Sequence, residues 1–440
     1  MDLTLEQVTE MAPDGSSAAA GRKLMALKNW EQVGRSSEAL WGMCRGSAVY
    51  QVKVDLSNLG YACSCPSRKF PCKHVLGLLM LRAASPEAAP QSSEPDWVTD
   101  WLSRRRERAE KKSAPAEQEA APATDKKVVD EKAQRRRAQQ RESRVSDGLE
   151  RLDVWLKDVV RNGLANVETK PAPFWEEQAK RLVDAQAGGM ATRVSRWSEI
   201  PRSGRDWPTR LLIELGLAKL LIQAWQRFDS LDASLQQDVR QLLGWNVSQA
   251  ELEQDGERVV DLWLVAGQRT EDEDRIRVQR SWIVGRATGR WGMVLQFAPH
   301  NQSFADVIVP GSEQAGEVVF YPGAARQRAK FLIREQVTGV ADRPPGVDTI
   351  EMFLHHIADA LARLPWLTVF GAILHDVTIT MHDDRWYVRD RDGHCLPIAG
   401  RDHWRLLALT GGHPVDVAGE WDGYCLRPLG LYLNGVYRVL

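Results

Sequence analysis

The chain has 440 residues, more than one compact core usually holds, so we expect two to four domains. Its 58 basic and 59 acidic residues leave a net charge of -1, which gives no overall argument for a polyanionic partner. The sequence contains no apolar run of about 18 residues, and its acidic N-terminus lacks the pattern of a secretory signal. We therefore expect a cytoplasmic protein without a membrane span.

The first predicted domain covers residues 1–84 and closes with a strand, a turn, a second strand and a helix. The stretch AVYQVKVDL alternates apolar and polar residues, and the short strand YACSC follows a turn. In CKHVLGLLMLRA the apolar residues recur at helical spacing. These patterns predict a ββα unit at about residues 48–84.

Two closely spaced pairs of metal-ligating side chains lie in this unit. Cys63 and Cys65, two apart on the predicted strand, should point to the same face. Cys72 and His74 lie where the helix begins, and the free N–H groups there favour thiolate. A closed set of four sulfur and nitrogen ligands is typical of structural zinc. We predict one structural zinc ion, without which so small a unit should be unfolded.

The alternative is three buried thiols beside a core histidine. We disfavour it because apolar packing does not require two such pairs in tandem. The remaining cysteines, Cys44, Cys395 and Cys425, have no neighbouring ligands in the sequence, and we predict that they are small buried apolar residues. Six cysteines in a chain of this length do not indicate a disulfide framework.

Residues 85–146 are predicted to be a charged linker with short helices. Trp97, Val98, Trp101 and Leu102 have the spacing of an amphipathic helical turn, which should dock onto a neighbour. The stretch DEKAQRRRAQQRESR contains strong helix formers without an apolar face, so it is either solvated helix or disorder.

Residues 147–250 show a helical pattern throughout, typical of a small bundle. The stretch at 206–228 is apolar nearly all round, and we predict that it is the buried central helix. Residues 251–440 are rich in strand-forming Val, Trp, Ile and Tyr, with one helical stretch, TIEMFLHHIADALARL. Asp392–Leu396 and Asp422–Leu426 share the pattern Asp-Gly-x-Cys-Leu, which indicates two hairpin turns with glycine at positive φ. The predicted fold class is α+β multidomain, with an N-terminal ββα zinc finger, a helical bundle and a mixed strand-rich C-terminal domain.

The spacing Cys63-x-Cys65, six residues, then Cys72-x-His74, between a strand and an apolar helix, resembles the SWIM-type zinc finger. The surrounding words LWGMCRGSAVYQVKVDL and CSCPSRKFPCKHVLGLLML are similar to bacterial proteins of the SWIM-type zinc finger family. The resemblance covers about residues 40–84, and the four ligands correspond position for position. It implies zinc binding together with protein or nucleic-acid interaction, without a fixed partner.

The sequence favours a binding or adaptor protein in which zinc orders the loop Pro66–Pro71. This loop and the helix start would present Arg68, Lys69, Phe70 and Lys73 to a partner. The partner is a protein in the first hypothesis, because the chain has separable modules and many tryptophans. The alternative is DNA or RNA, favoured by basic residues around the finger and linker: Lys53, Arg68, Lys69, Lys73, Arg82, Arg104–Arg106 and Arg135–Arg137.

A hydrolytic enzyme in the C-terminal half is the least favoured hypothesis. Its candidate residues are dispersed histidines and carboxylates: His355, His356, Asp359, His375, His382, Asp383, Asp384 and His394. The sequence contains no His-Glu-x-x-His motif, nucleophile elbow, phosphate loop or dinucleotide fingerprint. We therefore expect a protein that is not an enzyme and has zinc as its one cofactor.

Overall fold

The computed structural model describes residues 3–46, 48–57, 59–67, 69, 71–113, 124–204, 206–273, 276–300, 304–338, 343–433 and 435–440. The N-terminal domain contains three helices and four strands in chain order: α1 (Leu5–Glu10), α2 (Gly15–Arg22), β1 (Trp30–Arg35), β2 (Ala39–Arg45), β3 (Val49–Asp55), β4 (Tyr61–Cys63) and α3 (Lys73–Ala84). The strands form one antiparallel sheet in the order β1-β2-β3-β4.

Helix α3 packs against this sheet and supplies most of the domain's core. Its residues from His74 to Leu81 are all buried, and Leu76 and Leu78 are fully enclosed together with Val52 and Val54 of β3. Helix α2 crosses α3 at two glycines, where a Cβ on Gly21 would lie 2.8 Å from the Leu76 Cβ. The predicted ββα unit is therefore present, as the outer half of a four-stranded sheet.

The predicted linker contains two helices, α4 (Asp96–Ser113) and α5 (Thr124–Arg161). Val98 and Leu102 of α4 are buried against Ala39 and Trp41, so the predicted docking of this apolar turn onto a neighbour is confirmed. Both helices are longer than the short ones expected there. Helix α5 continues without a break through residues 146 and 147, where we had placed the start of the bundle.

The bundle continues with α6 (Ala165–Glu168), α7 (Ala172–Asp184), α8 (Gly188–Arg196), α9 (Trp207–Gln226) and α10 (Ala233–Leu243). Its core is aromatic at one end, where Trp175 and Trp197 pack edge to face at 6.2 Å. The expectation that the stretch at 206–228 is buried all round is wrong. Helix α9 buries Leu211, Leu215 and Ile222 but leaves an apolar face exposed on the opposite side.

The C-terminal region begins with a short helix, α11 (Gln249–Asp255), followed by a closed five-stranded barrel. The barrel strands are β5 (Glu257–Glu273), β6 (Ile276–Gly285), β7 (Trp291–Pro299), β8 (Glu313–Phe320) and β9 (Arg328–Thr338), in the order β5-β6-β7-β9-β8. The pairs are antiparallel except for β7 with β9, a short parallel contact that closes the barrel. Trp263 and Phe320 fill the interior.

A six-stranded antiparallel sheet completes the chain, in the order β12-β11-β10-β13-β14-β15. Its elements are α12 (Ile350–Arg363), β10 (Phe370–His382), β11 (Arg385–Arg389), β12 (Cys395–Pro397), α13 (Trp404–Thr410), β13 (Val415–Trp421), β14 (Leu426–Leu433) and β15 (Val436–Val439). Phe353 and Ile357 of α12 pack on this sheet. The observed architecture is therefore α+β and multidomain, as predicted.

One buried carboxylate joins the six-stranded sheet to the barrel. Glu420 of β13 is 2% exposed and accepts hydrogen bonds from the guanidinium of Arg280 at 2.8 Å and from that of Arg269 at 3.2 Å. The indole N–H of Trp282 donates to the same carboxylate at 2.9 Å. Since all three donors lie on barrel strands, the two sheets share one hydrogen-bonded charge cluster.

Two further junctions hold the domains together. The bundle meets the barrel at Asp238 of α10, whose carboxylate accepts from the Ala324 N–H at 2.6 Å. The N-terminal domain meets the barrel region at Val309, which belongs to the same apolar cluster as α3. None of the helices in the described residues combines the length and the apolar character that a bilayer-spanning helix needs.

Candidate metal centre

The four predicted zinc ligands converge at the edge of the N-terminal sheet. Strand β4 ends at Cys63, so Cys65 lies just beyond the strand rather than on it as predicted. The chain stays beside β3 for one more residue, because the Ser64 N–H donates to the Gln51 carbonyl at 3.0 Å. This extension turns Cys65 back toward the metal centre. Cys72 is the N-cap of α3 and His74 lies in its first turn, as predicted.

The ligand atoms lie close to the separations that a tetrahedral ion requires. The three sulfurs and one ring nitrogen of His74 all lie within 4.8 Å of one another. Nδ1 is 3.7 Å from the Cys63 sulfur and 4.0 Å from the Cys72 sulfur. Zinc bonds of roughly 2.0–2.3 Å at tetrahedral angles place ligand atoms about 3.3–3.8 Å apart. The donor set and its spacing therefore fit one zinc ion.

Protonation of two of these thiols is coupled through a hydrogen bond. The Cys63 thiol donates to the Cys72 sulfur, which lowers the pKa of Cys72 to about 4 although burial opposes the shift. The same bond, together with burial, raises the pKa of Cys63 well above its usual range. Burial also raises the pKa of Cys65. Cys72 is thus the ligand most readily ionised, and metal binding must displace the protons on Cys63 and Cys65.

The surroundings of His74 hold its ring in place. His74 is 5% exposed, and the Tyr50 ring stacks on it with centroids 4.7 Å apart and planes 28° apart. Cys44 lies behind the site, fully buried, but does not belong to the ligand cluster. Tyr50 is a supporting residue that the sequence reasoning missed. The signal available in the sequence was its position in β3, the strand that pairs with the ligand-bearing strand β4.

Two of the four predicted partner-binding residues lie within the described part of the chain. Arg68 and Phe70 lie outside the described residues. Lys69 is exposed and forms an ion pair with Asp14, the N-cap of α2, with Nζ 2.7 Å from Oδ2. That contact, with a hydrogen bond from Ser16, holds the pKa of Asp14 well below its usual range. Lys73 is exposed at the start of α3.

Other basic residues that favoured a nucleic-acid partner are engaged within the chain. The Lys53 ammonium donates to the Trp97 carbonyl at 3.2 Å and lies 5.3 Å from the centroid of that indole ring. Arg105 pairs with Asp55 at 3.3 Å, and Arg106 pairs with Glu38. The basic run of α4 therefore serves largely to fix this helix against the sheet.

A shallow groove of about 380 Å³ lies beside the metal ligands. One wall is the N-terminal part of α2, including Ser16 and Ser17, and the other is the loop after Cys65. Lys69, Lys73 and His74 also line it. The Lys69 ammonium is paired with Asp14, so the groove offers mainly the Lys73 ammonium together with hydroxyl groups, and it is suited to hydrogen bonding with a polar segment.

The candidate residues of an enzymatic site are dispersed in the structure. His355 is exposed on α12, with Nδ1 2.9 Å from the Glu351 carbonyl oxygen, while Asp359 is also exposed. His356 is exposed on the same helix. Three further histidines each lie beside one aspartate: His375 beside Asp416, His382 beside Asp383, and His394 beside Asp390. Within the described part of the chain, the cysteine and histidine cluster at 63–74 is the one group that could hold a metal ion.

The three remaining cysteines differ in exposure. Cys44 is buried as predicted, and Cys425 is partly buried. The prediction is wrong for Cys395, which is exposed because it points to the face of β12 opposite the buried Leu396.

Comparison with protein families gives two matches. The SWIM zinc finger matches residues 50–82, and the SWIM-associated four-helix bundle domain matches residues 140–243. The chain thus carries a SWIM zinc finger with its associated bundle, and the Cys₃His cluster lies inside the first match. No curated protein and no solved structure was found to match the chain.

Proposed function

We propose that this SWIM-finger chain is a non-enzymatic adaptor whose finger binds a polar segment of a protein partner in a zinc-dependent manner. The observation that carries the proposal is the groove between α2 and the metal ligands, which Lys69 and Lys73 help to line. Zinc would join the end of β4 to the start of α3, and both contribute to that groove. A closed four-ligand set stabilises a fold and leaves no position for a reactive water.

Local charge favours a protein over a nucleic acid. Three thiolates and a zinc ion give the metal centre a charge of about -1. Lys69 and Lys73 add two positive charges, and Asp14 removes one, so the charges around the groove nearly cancel. Nucleic-acid affinity depends on neutralising several phosphates, which requires a strong local excess of positive charge.

DNA or RNA binding remains the competing function, since Arg68 and the basic residues of helix α4 add further positive charge to the N-terminal part of the sequence. The two proposals differ in salt dependence. Phosphate contacts release counterions, so a nucleic-acid complex should weaken steeply as salt rises. A polar peptide in a small groove makes few charge contacts and should show a shallow salt dependence.

The test compares the zinc-loaded chain with Cys65→Ala, Lys73→Glu and Lys180→Glu, the last an exposed control on α7. Quantitative capture from lysate should recover a protein that is lost with the first two variants and retained with the control. Anisotropy of labelled oligonucleotides should show no zinc-dependent binding at low salt. Steeply salt-dependent oligonucleotide binding that Lys73→Glu abolishes would establish the nucleic-acid function instead.

A further inference from the structure

Helix α9 carries an apolar face that the described elements leave uncovered. Leu212, Ile213 and Leu220 are 52%, 44% and 39% exposed, although they are large apolar residues. Together with Gly216 they lie on one side of the helix, because residues four apart are neighbours on its surface. We call these four residues the α9 face. Contiguous exposed apolar surface of this kind marks interaction sites.

The α9 face is symmetric about its glycine. Leu212 and Leu220 are each four residues from Gly216, and a Cβ built on Gly216 meets nothing within 4 Å. If two copies of α9 lie antiparallel and cross at Gly216, Leu212 and Ile213 of one face Leu220 of the other. The absent side chain lets the two backbones approach closely.

The ends of the helix carry opposite charges that match in this arrangement. Asp206 is the N-cap of α9 and Arg227 is its C-cap, and both are exposed. Within the described structure, the Asp206 carboxylate makes no capping hydrogen bond. In an antiparallel pair, each Asp206 lies next to Arg227 of the second copy. The two helix dipoles also point in opposite directions, which is favourable. The two-fold arrangement therefore forms two ion pairs, one at each end of the helix pair.

Residues of α5 extend the α9 face and form an ion pair with a lysine at its edge. Trp225 donates to Ser146 at 2.9 Å, and Lys219 pairs with Asp153 at 2.5 Å, so α5 runs antiparallel to α9. This register places Val160, 49% exposed, near Leu212. Asp153 also pairs with Lys157 at 2.8 Å, so neither ammonium group is unpaired, although the three side chains together keep one net positive charge.

We propose that the chain forms a two-fold homodimer through the α9 face, with Gly216 at the axis. A C₂ interface is self-complementary, and the symmetric spacing and the opposite charges at the helix ends meet that requirement. The interface involves the bundle and none of the zinc ligands, so it goes beyond the finger's proposed role.

Sedimentation equilibrium of the full chain across a dilution series tests the dimer. Wild type should dimerise, and Leu220→Glu should weaken dimerisation by more than about tenfold, since it places two carboxylates in an apolar contact. The matched control is Val183→Glu, on an exposed position of α7, which should leave the dimer unchanged. Circular dichroism and zinc content should be the same in all three proteins.

A cross-link locates the axis. In a Cys395→Ser background, Gly216→Cys should give a disulfide-linked dimer on mild oxidation, because identical residues meet at a two-fold axis. Val183→Cys should stay monomeric under the same conditions. A wild-type monomer at every concentration, a dimer that Leu220→Glu does not weaken, or equal cross-linking by the two cysteine variants would overturn the proposal.

Discussion

Cys65 is the ligand that local secondary structure constrains least, because it lies beyond the end of β4. Cys65→Ala leaves three donors, so we expect the zinc content to fall from one ion per chain to near zero. Structural zinc contributes on the order of 10 kcal/mol to such sites, and the finger should lose its ordered tertiary structure.

Zinc content by atomic emission and near-ultraviolet circular dichroism measure this outcome. Cys395→Ala is the matched control, since that cysteine is exposed and distant from the ligands in sequence. A Cys65→Ala protein that retains a full zinc equivalent would show that Cys65 is not a ligand.

Asp238, at the junction of bundle and barrel, makes the free energy of unfolding depend on pH. Burial raises its pKa to about 6, against an ordinary value of 3.8. The folded state therefore binds more protons than the unfolded state between these values, and the free energy of unfolding falls as pH rises from about 4 to 6. Asp238→Asn keeps an oxygen that can accept from the Ala324 N–H but removes the buried charge.

We expect Asp238→Asn to raise Tm above that of wild type at pH 8 and to leave it unchanged near pH 4. The gain at pH 8 should correspond to at most about 3 kcal/mol, since one pKa unit is about 1.4 kcal/mol. Thermal unfolding at the two pH values measures it. A lower Tm at pH 8 would mean that the ionised carboxylate stabilises the junction.

The ligand residues could be predicted from sequence because they are close together in the chain. Two pairs separated by six residues specify donor types and a shared helix start without any knowledge of long-range contacts. The ion pair between Lys69 and Asp14 could not be found this way, because its members are 55 residues apart. The predicted burial of Cys395 was wrong because exposure depends on which face of β12 the side chain points to, and Leu396 takes the buried face.

Among the elements, helix α8 meets α10 at closely packed backbones. A Cβ on Gly189 would lie 2.1 Å from the Leu242 carbonyl oxygen, whereas a Cβ on the adjacent Gly188 meets nothing within 4 Å. We expect Gly189→Ala to lower the free energy of unfolding by about 2 kcal/mol or more, because backbone must move to relieve the overlap.

Gly188→Ala is the control and should be neutral or slightly stabilising, because alanine restricts the unfolded chain more than glycine does. Urea unfolding followed by tryptophan fluorescence measures both. Equal stability of the two variants would show that the helices separate freely at this crossing.

Local pattern predicted most elements well, including both glycine-containing hairpin turns. Gly393 and Gly423 have φ of 89° and 90°, in the turns before β12 and β14. The burial of helix α9 was wrongly predicted. A sequence that is apolar all round is typical of a fully buried helix, but also of a helix that buries one face and presents another to a partner. Strand β9 has no clear alternation of apolar and polar residues, so the local pattern does not define it.

At the scale of the whole molecule, zinc should control the finger and leave the bundle folded. The bundle has its own apolar core, from Val145 to Leu243 with two residues near 365, while the finger's cluster is separate and includes α3. After chelation we expect amide protons of β3, β4 and α3 to exchange at least about a hundredfold faster, whereas those of α7 and α9 keep their protection.

Hydrogen exchange with mass spectrometry, with and without a chelator, measures this contrast. Restoring zinc should restore the slow exchange. Loss of protection throughout the bundle would show instead that finger and bundle unfold as one cooperative unit.

The order of the domains could be predicted from the sequence, because the finger, the helical region and the strand-rich region follow one another and each has its own residue pattern. The closure of the barrel was not, because the contact between β7 and β9 is parallel and only two residue pairs long. The sequence contains no local signal for such a pairing.

Glu420 gives the C-terminal region a particular evolutionary constraint. The carboxylate comes from one sheet and its three donors come from the other, and the cluster is buried. A gene fusion or truncation that kept the barrel but lost β13 would remove the carboxylate that two guanidinium groups and an indole N–H share. We therefore expect recombination between related genes to exchange the barrel and the six-stranded sheet as one inherited block, whereas the metal ligands of the finger all lie within twelve consecutive residues and are inherited on one short segment.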